Sequence, residues 1–311
     1  GVDIIPAYME DELEKAGNIY PVLVKPAYSR GSRGQQVCYD LEETKEAVRT
    51  AKDISDNGEA VIEKYMGDKE DFQVTYLVVD GVPYVVRTAD RYLGPADKNM
   101  DRVAIALSSP SSNTKMYMEK AHGKVAAMFQ VLGIRNAPVF MQGFVDGDKF
   151  RFYDPGLRFP GGDYDRIFAS VMEFDLMEVL IELAFTGKIS PVSGLDDNTV
   201  YLKDNTIFTL HSTVDAGKIA SITDKEELLK ISGVKYVSFR HKVGDQVEFT
   251  GNVNQRIAEF NIYGDTPEHL KQTVTDVENK LKVLDTDGRD MVFCRFDINK
   301  WRPCRRRKQW I

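Results

Sequence analysis

Lys25 and the loop that follows it, Ser29-Arg30-Gly31-Ser32-Arg33-Gly34, are the residues in this chain best suited to holding a phosphate. Glycines let backbone N–H groups approach an anion with no Cβ in the way, Lys25, Arg30 and Arg33 add charge, and the serine hydroxyls add donors. The same loop also suits a plain hairpin with solvated arginines. Two further stations carry chemistry. Glu63-Lys64-Tyr65-Met66 ends an apolar run, where backbone groups can meet a flat base, and Glu70 beyond it can accept from ribose hydroxyls. Gln142 and Asp154 fall on the two arms of a predicted hairpin, where same-face oxygens can meet a hard cation such as magnesium; Arg158 follows, placed for a phosphoryl oxygen.

The elements that must position these groups are legible from pattern. Tyr20 to Val24 reads as a strand entering the loop and Gln35 to Tyr39 as an extended exit. Asp40 caps a helix from Leu41 that stops before Asp56-Asn57-Gly58, and Ala60 to Ile62 is a buried strand. Phe72 to Val79 and Val82 to Arg87 flank Asp80-Gly81, a hairpin signal; a second hairpin joins Ala137 to Val145 with Lys149 to Asp154 around Asp146-Gly147. The stretch from Tyr92 to Asn113 reads as irregular and 115–132 as one helix whose methionines pack in a core. A loop is expected over Leu157 to Asp165, a buried helix over Phe174 to Phe185, and a hairpin from Val200–Leu202 and Ile207–Leu210. Farther on come a short helix at Asp224 to Ile231 and strands at Val234–Phe239, Arg256–Tyr263 and Met291–Phe296. A helix opened by Thr266-Pro267 carries Leu270, Val274, Val277 and Leu281 on one face.

Composition narrows the classes. The 311 residues carry a net charge of -7, which argues against a general nucleic-acid surface. No apolar run is long enough to span a bilayer, and no signal-peptide pattern is present. Cys38, Cys294 and Cys304 lack paired spacing, so no disulfide framework or zinc site is expected and a reducing cytoplasm fits. Walker, dinucleotide and protein-kinase motifs are absent. His122, His211, His241 and His269 are scattered and suit hydrogen-bonding roles. The basic run Lys300 to Lys308 reads as a solvated tail.

In order and spacing, VKPAYSRGSRG, EKYMGDKE, Gln142, Asp154 and Arg158-Phe159-Pro160-Gly161-Gly162 together resemble the ATP-grasp superfamily, most closely its carbamoyl-phosphate-synthase-like carboxylate-amine ligases. That resemblance implies an α+β ATP-grasp fold, two subdomains clamping ATP, with a small C-terminal α+β domain. It implies boundaries of 1–65 for the lid, 66–214 for the catalytic half, 215–298 for the small domain and 299–311 for the tail. Lys25 would bind the α- and β-phosphates and Ser29 to Gly34 would close over them. Glu63 would meet the adenine amino group, Tyr65 the base through its backbone, and Glu70 the ribose, with Lys64 and Met66 in the same hinge. Gln142 and Asp154 would hold Mg2+ or Mn2+, and Arg158 would face the reacting phosphate. The implied chemistry activates a small-molecule carboxylate as an acyl phosphate for attack by an amine, without nucleic acid or membrane. Where the family has glutamate-x-asparagine-proline-arginine, this chain reads Asp154-Pro155-Gly156-Leu157-Arg158, so weaker or water-completed metal binding is expected. The family's preceding α/β domain is missing from the sequence. A fragment, split-gene product or truncated member is therefore expected, with a separate domain or subunit as a partner. The alternative, from another class, is an ATP-binding module without ligase activity of its own.

Overall fold

The computed structural model describes residues 1–13, 19–29, 33–67, 69–94, 103–162 and 164–304. Its first sheet is antiparallel and holds β1 (Ala7–Tyr8), β2 (Val22–Pro26), β3 (Gln36–Cys38) and β4 (Ala60–Lys64) in the order β1-β4-β2-β3. Helix α1 (Leu41–Ile54) covers one face. It starts where Asp40 accepts from the Glu43 N–H at 2.9 Å, and Ala47, Val48 and Ala51 bury against Val22, Val24 and Ile62. Alternation along β2 and β4 then turns Leu23, Lys25, Val61 and Glu63 to the other face.

That face looks onto a larger sheet. Its strands are β5 (Glu70–Val79), β6 (Val82–Leu93), β7 (Ala104–Ser109), β8 (Ala137–Asp146), β9 (Lys149–Gly156), β10 (Thr206–Val214), β12 (Val234–Phe239) and β14 (Arg256–Gly264). They run β12-β14-β10-β7-β6-β5-β8-β9, and the short β16 (Val292–Phe293) pairs with β10. At the β5–β6 turn both Asp80 and Gly81 take positive φ, as a tight hairpin matched to strand twist requires. Phe72, Val74 and Tyr76 of β5 bury against α2 (Thr114–Lys120) and α3 (His122–Val131). The alternate residues Asp71, Gln73 and Thr75 line the opposite, polar face toward the small sheet. Over that face lie α4 (Tyr164–Val171) and α5 (Leu176–Thr186), packed on Leu77, Val86 and Ile207.

Residues after β10 form β11 (Gly217–Ile222), α6 (Lys225–Leu229), β13 (Gln246–Val247), α7 (Pro267–Lys280) and β15 (Val283–Asp285), with β13-β11-β15 as a third sheet. Thr266 caps α7 by accepting from the His269 N–H at 3.1 Å, and Leu270, Val274, Val277 and Leu281 are fully buried. The segment expected as a small separate module also supplies β12, β14 and β16 to the large sheet. Trp301 closes the arrangement by donating its indole N–H to Ser108 Oγ at 2.8 Å.

Several local expectations are corrected. The stretch read as irregular contains β7, whose six residues are all buried in mid-sheet; a two-sided apolar strand shows no alternation to read. The 115–132 helix is two helices broken at Ala121. The loop expected to end at Asp165 already contains the first turn of α4. Helix α5 is not buried all round: Met177, Ile181 and Phe185 are 40%, 52% and 87% exposed. Residues 199–204 are tight helical turns, with Leu202 and Lys203 left-handed, rather than a strand. The 291–296 strand shrinks to Val292–Phe293.

Candidate functional site

On the small-sheet side, Lys25 Nζ lies 2.7 Å from Glu63 Oε2, a diagonal cross-strand pair that needs both residues on the cleft face. The lysine also stands 5.9 Å above the ring of Tyr153 on β9, so the pair looks directly across to the large sheet. The loop after β2 is partly described: Ser29 Oγ donates to the Arg33 carbonyl at 2.8 Å, and Gly34 takes φ +79. A Cβ on Gly34 would come within 2.8 Å of Ile54 and Pro26 side chains, so glycine is required there. Arg30, Gly31 and Ser32 lie outside the described residues.

The hinge after β4 is fastened from behind. Lys64 Nζ donates to the Ile19 and Tyr20 carbonyls at 2.8 and 3.1 Å, so its ammonium group braces the chain entering β2. The Tyr65 N–H, expected to meet a base, goes to the Pro21 carbonyl at 3.1 Å. Pro6, Lys64, Tyr65, Met66 and Lys69 line a cavity of about 300 Å³ with Asp146 and Arg151. Glu70, expected to await ribose hydroxyls, accepts from Asn113 Nδ2 at 2.9 Å and pairs with Arg302.

On the large sheet, Gln142 and Asp154 are direct cross-strand partners, as the hairpin spacing requires. With the Gln142 amide nitrogen toward Asp154 Oδ2 at 3.1 Å, its oxygen accepts from Arg91 Nη1 at 2.7 Å and Nε at 3.2 Å. The expectation of two oxygen ligands is therefore corrected, because the Gln142 oxygen is taken by a guanidinium. Among the described residues no cluster of three or more His, Cys, Asp or Glu is arranged for a metal. The exposed Asp154 carboxylate by itself suits a magnesium ion arriving on phosphate oxygens, since that ion keeps most of its water shell and needs few protein ligands. Arg158 is exposed, donates to the Phe159 carbonyl at 3.1 Å, and holds its guanidinium 4.9 Å from the Phe140 ring. Gly156, which replaces the expected asparagine, faces the Arg158 stem, with a Cβ there 3.5 Å from it.

Sequence reasoning missed the group that organises this floor. Arg91 on β6 sits opposite Asp71 on β5 and binds both its oxygens, at 2.9 and 2.8 Å, while also donating to Tyr153 OH at 3.3 Å. Burial works against the Arg91 charge, but Asp71 and Tyr153 outweigh it and hold the guanidinium pKa above its ordinary value. The available signal was Asp71 and Arg91 at equivalent positions on either side of the Asp80-Gly81 turn. The floor thus brings together Gln142, Asp154, Arg91, Asp71 and Tyr153, with Lys25 and Glu63 facing them; Arg158 extends from the end of β9.

Two stretches of the chain match known families. Residues 1–138 match the family described as the carbamoyl-phosphate synthase L chain, ATP binding domain, and residues 211–284 match L-amino acid ligase C-terminal domain 2. The carbamoyl phosphate synthase large chain of Pseudomonas putida is 26% identical over 138 residues, 43% of this chain and 13% of that protein. The chain therefore spans only a small part of that curated relative. Among solved structures, an L-amino acid ligase from Bacillus licheniformis superposes with TM-score 0.69 at 17% identity, covering 92% of this chain and 68% of the other. The biotin carboxylase domain of Hydrogenobacter thermophilus 2-oxoglutarate carboxylase, solved with MgADP and bicarbonate, also gives TM-score 0.69, at 15% identity over 94% of this chain and 64% of that one. No helix among the described residues is long and apolar enough to cross a membrane.

Proposed function

Because this chain is an ATP-grasp protein with the carbamoyl-phosphate-synthase type of ATP-binding domain, we propose that it is an ATP- and magnesium-dependent ligase joining a carboxylate to an amine. The observation that carries the reading is the facing of Lys25 and Glu63 on one sheet toward Tyr153, next to Asp154, on the other. A cleft with a cation on one wall, a carboxylate on the other and an arginine at the strand end has the parts that phosphoryl transfer needs, namely charge neutralisation and alignment. A carboxylate oxygen of the substrate attacks the γ-phosphorus, and the bond to the ADP oxygen breaks. The amine nitrogen then attacks the acyl carbon, phosphate leaves with the bonding pair, and the amine proton passes to phosphate or solvent. Magnesium bound with the nucleotide would supply charge neutralisation at the phosphates, and Asp154 is the residue that would hold it.

In this reading Lys25 leaves Glu63 for the phosphates, freeing Glu63 for the adenine amino group, and the 29–34 loop closes over the nucleotide. Glu70 turns to the ribose, with Arg302 yielding its place. The division at residues 65, 214 and 298 into lid, catalytic half and small domain belongs to the same proposal. Lys25→Ala is expected to weaken ATP binding about tenfold or more, as loss of a charge-assisted phosphate contact would; calorimetric affinity within twofold of the parent would reject the phosphate role.

Turnover tests the whole reading. ADP release is measured with ATP and magnesium across pools of small carboxylic acids and amino acids. Release that depends on an added acid and amine supports the ligase; ATP binding with no release from any pool favours the nucleotide-binding module instead. In the ligase, Asp154→Ala should cut turnover about a hundredfold and raise the magnesium requirement while changing ATP affinity little. Unchanged turnover in that variant would remove Asp154 from the metal site.

A further inference from the structure

Ser232, His269 and Asp265 stand in line beside the edge of the large sheet farthest from Asp154. Ser232 Oγ lies 3.1 Å from His269 Nε2, and His269 Nδ1 lies 2.8 Å from Asp265 Oδ1. An ionised carboxylate only accepts, so the proton of the neutral ring sits on Nδ1, and Nε2 is left to accept from the serine hydroxyl. The hydrogen bond from His269 holds the Asp265 carboxyl below its ordinary pKa and so keeps it ionised. A hydroxyl within reach of a base that a third group orients is the arrangement that activates a serine as a nucleophile. The ligase reading uses none of these three residues.

Two turns build the arrangement. Ser232 lies between α6 and β12, while Asp265 and Thr266 join β14 to α7, and the antiparallel pairing of β12 with β14 brings the two turns together. The Gly233 carbonyl accepts from the Tyr263 N–H at 2.8 Å. Below them Thr273 Oγ1, on a residue 1% exposed, lies 2.7 Å from the Ser232 carbonyl and 2.9 Å from the His269 carbonyl. Gly233 takes φ +89, and a Cβ there would come within 2.9 Å of the Tyr263 carbonyl oxygen, so the turn after the serine requires glycine. The N–H groups of Ser232 and Gly233 have no hydrogen-bond partner among the described residues, which leaves two donors next to the hydroxyl for an oxygen that gains charge. Strands β12 and β9 are opposite ends of the strand path, so this group and Asp154 are seven strand spacings apart, roughly 34 Å along the sheet.

We propose that Ser232 and His269, positioned by Asp265, form a second catalytic site that hydrolyses small activated esters through a serine-bound acyl group. The Ser232 oxygen attacks the acyl carbon as His269 Nε2 takes its proton. The bond from the acyl carbon to the leaving oxygen then breaks, and that oxygen departs with the bonding pair and the proton from His269. Water, giving its proton to the same nitrogen, attacks the acyl carbon next; the acid is released and Ser232 recovers its proton. Ser232 is exposed and the Asp265 side chain is 59% exposed, so the site is shallow. With few walls to grip a substrate it selects by reactivity, and esters of phenols and other good leaving groups are the class it takes.

The test uses the full chain with a fluorophosphonate, from which an activated serine displaces fluoride, and with 4-nitrophenyl acetate. Peptide mapping should find the phosphonyl group on Ser232, attached about tenfold or more faster than on any other serine. His269→Gln should slow that labelling about a hundredfold, the scale of a lost general base. Asp265→Asn should slow it about tenfold or more with the half-saturating reagent concentration unchanged, which a merely structural role for the carboxylate would not produce. Ser232→Ala should lower 4-nitrophenyl acetate hydrolysis at least tenfold while ADP release at the cleft stays at the parental rate. Label spread evenly over the exposed serines, labelling of Ser232 that is unchanged in His269→Gln, or hydrolysis that survives in Ser232→Ala would each overturn the proposal. The comparison of serines in the parent needs no variant, so it decides the matter even where a variant does not fold.

Discussion

Replacing Arg158 by alanine is expected to slow ADP release about a thousandfold while ATP affinity stays within about threefold of the parent. The side chain is exposed and its one hydrogen bond among the described residues goes to the neighbouring Phe159 carbonyl, so its removal orphans no buried group among them. What it would lose is a cation aimed at charge that develops on the phosphoryl oxygens only during transfer. Such a contact lowers the barrier more than it tightens the ground state. Arg158→Lys restores charge but not the planar fork and should recover part of the rate. A variant keeping more than a tenth of parental turnover would mean that Arg158 does not face the reacting phosphate. A parallel rise in the ATP dissociation constant would assign it to binding instead.

The second large effect is on stability. Arg91→Met takes from Asp71, whose side chain is 4% exposed, the guanidinium that binds both its oxygens, and removes the bonds to Tyr153 and Gln142. Losing one member of a buried ion pair typically costs about 3–5 kcal/mol, because the remaining charge is left in a medium that solvates it poorly. Denaturant unfolding should register a loss in that range. The double variant Arg91→Met/Asp71→Leu should regain most of it, since two apolar groups of similar bulk strand no charge. A loss below 1 kcal/mol in the single variant would show that water already reaches Asp71. The same substitution frees the Gln142 amide, so any rise in magnesium affinity that accompanies the instability would report that Arg91 normally withholds that oxygen.

These two predictions rest on residues of unequal legibility. Arg158 stood out in the sequence because it follows a hairpin at a fixed distance, and the groups around it are local: the Asp80-Gly81 and Asp146-Gly147 turns set the registers that put Gln142 opposite Asp154. Capping by Asp40 and the one-sided apolar faces of α1 and α7 were legible for the same reason, since each depends on residues within a few positions. Arg91 was silent because its importance comes from partners on three strands, Asp71, Gln142 and Tyr153, brought together only when the sheet assembles. Strand β7 escaped since burial on both faces removes the alternation that marks a strand. Helix α5 misled in the opposite direction: its composition promised burial all round, whereas Met177, Ile181 and Phe185 remain outside. Lys64 was placed in the right segment, but the direction of its side chain is fixed by the Ile19 and Tyr20 carbonyls more than forty residues earlier.

The strand order of the large sheet also bears on how the polypeptide acquires its shape as it leaves the ribosome. Strand β10 lies between β7, made about a hundred residues before it, and β14, made about fifty residues after it. Until Arg256–Gly264 has emerged, a nascent chain carries β10 with one row of backbone groups unpaired, and Ser108 has no indole to bond until Trp301 follows. The cleft-bearing sheet is thus completed late and from contacts distant in sequence, a topology that folds slowly and exposes strand edges meanwhile. Chains arrested shortly after residue 215 should be caught by chaperones or aggregate, whereas arrest beyond Trp301 should release a sheet able to close.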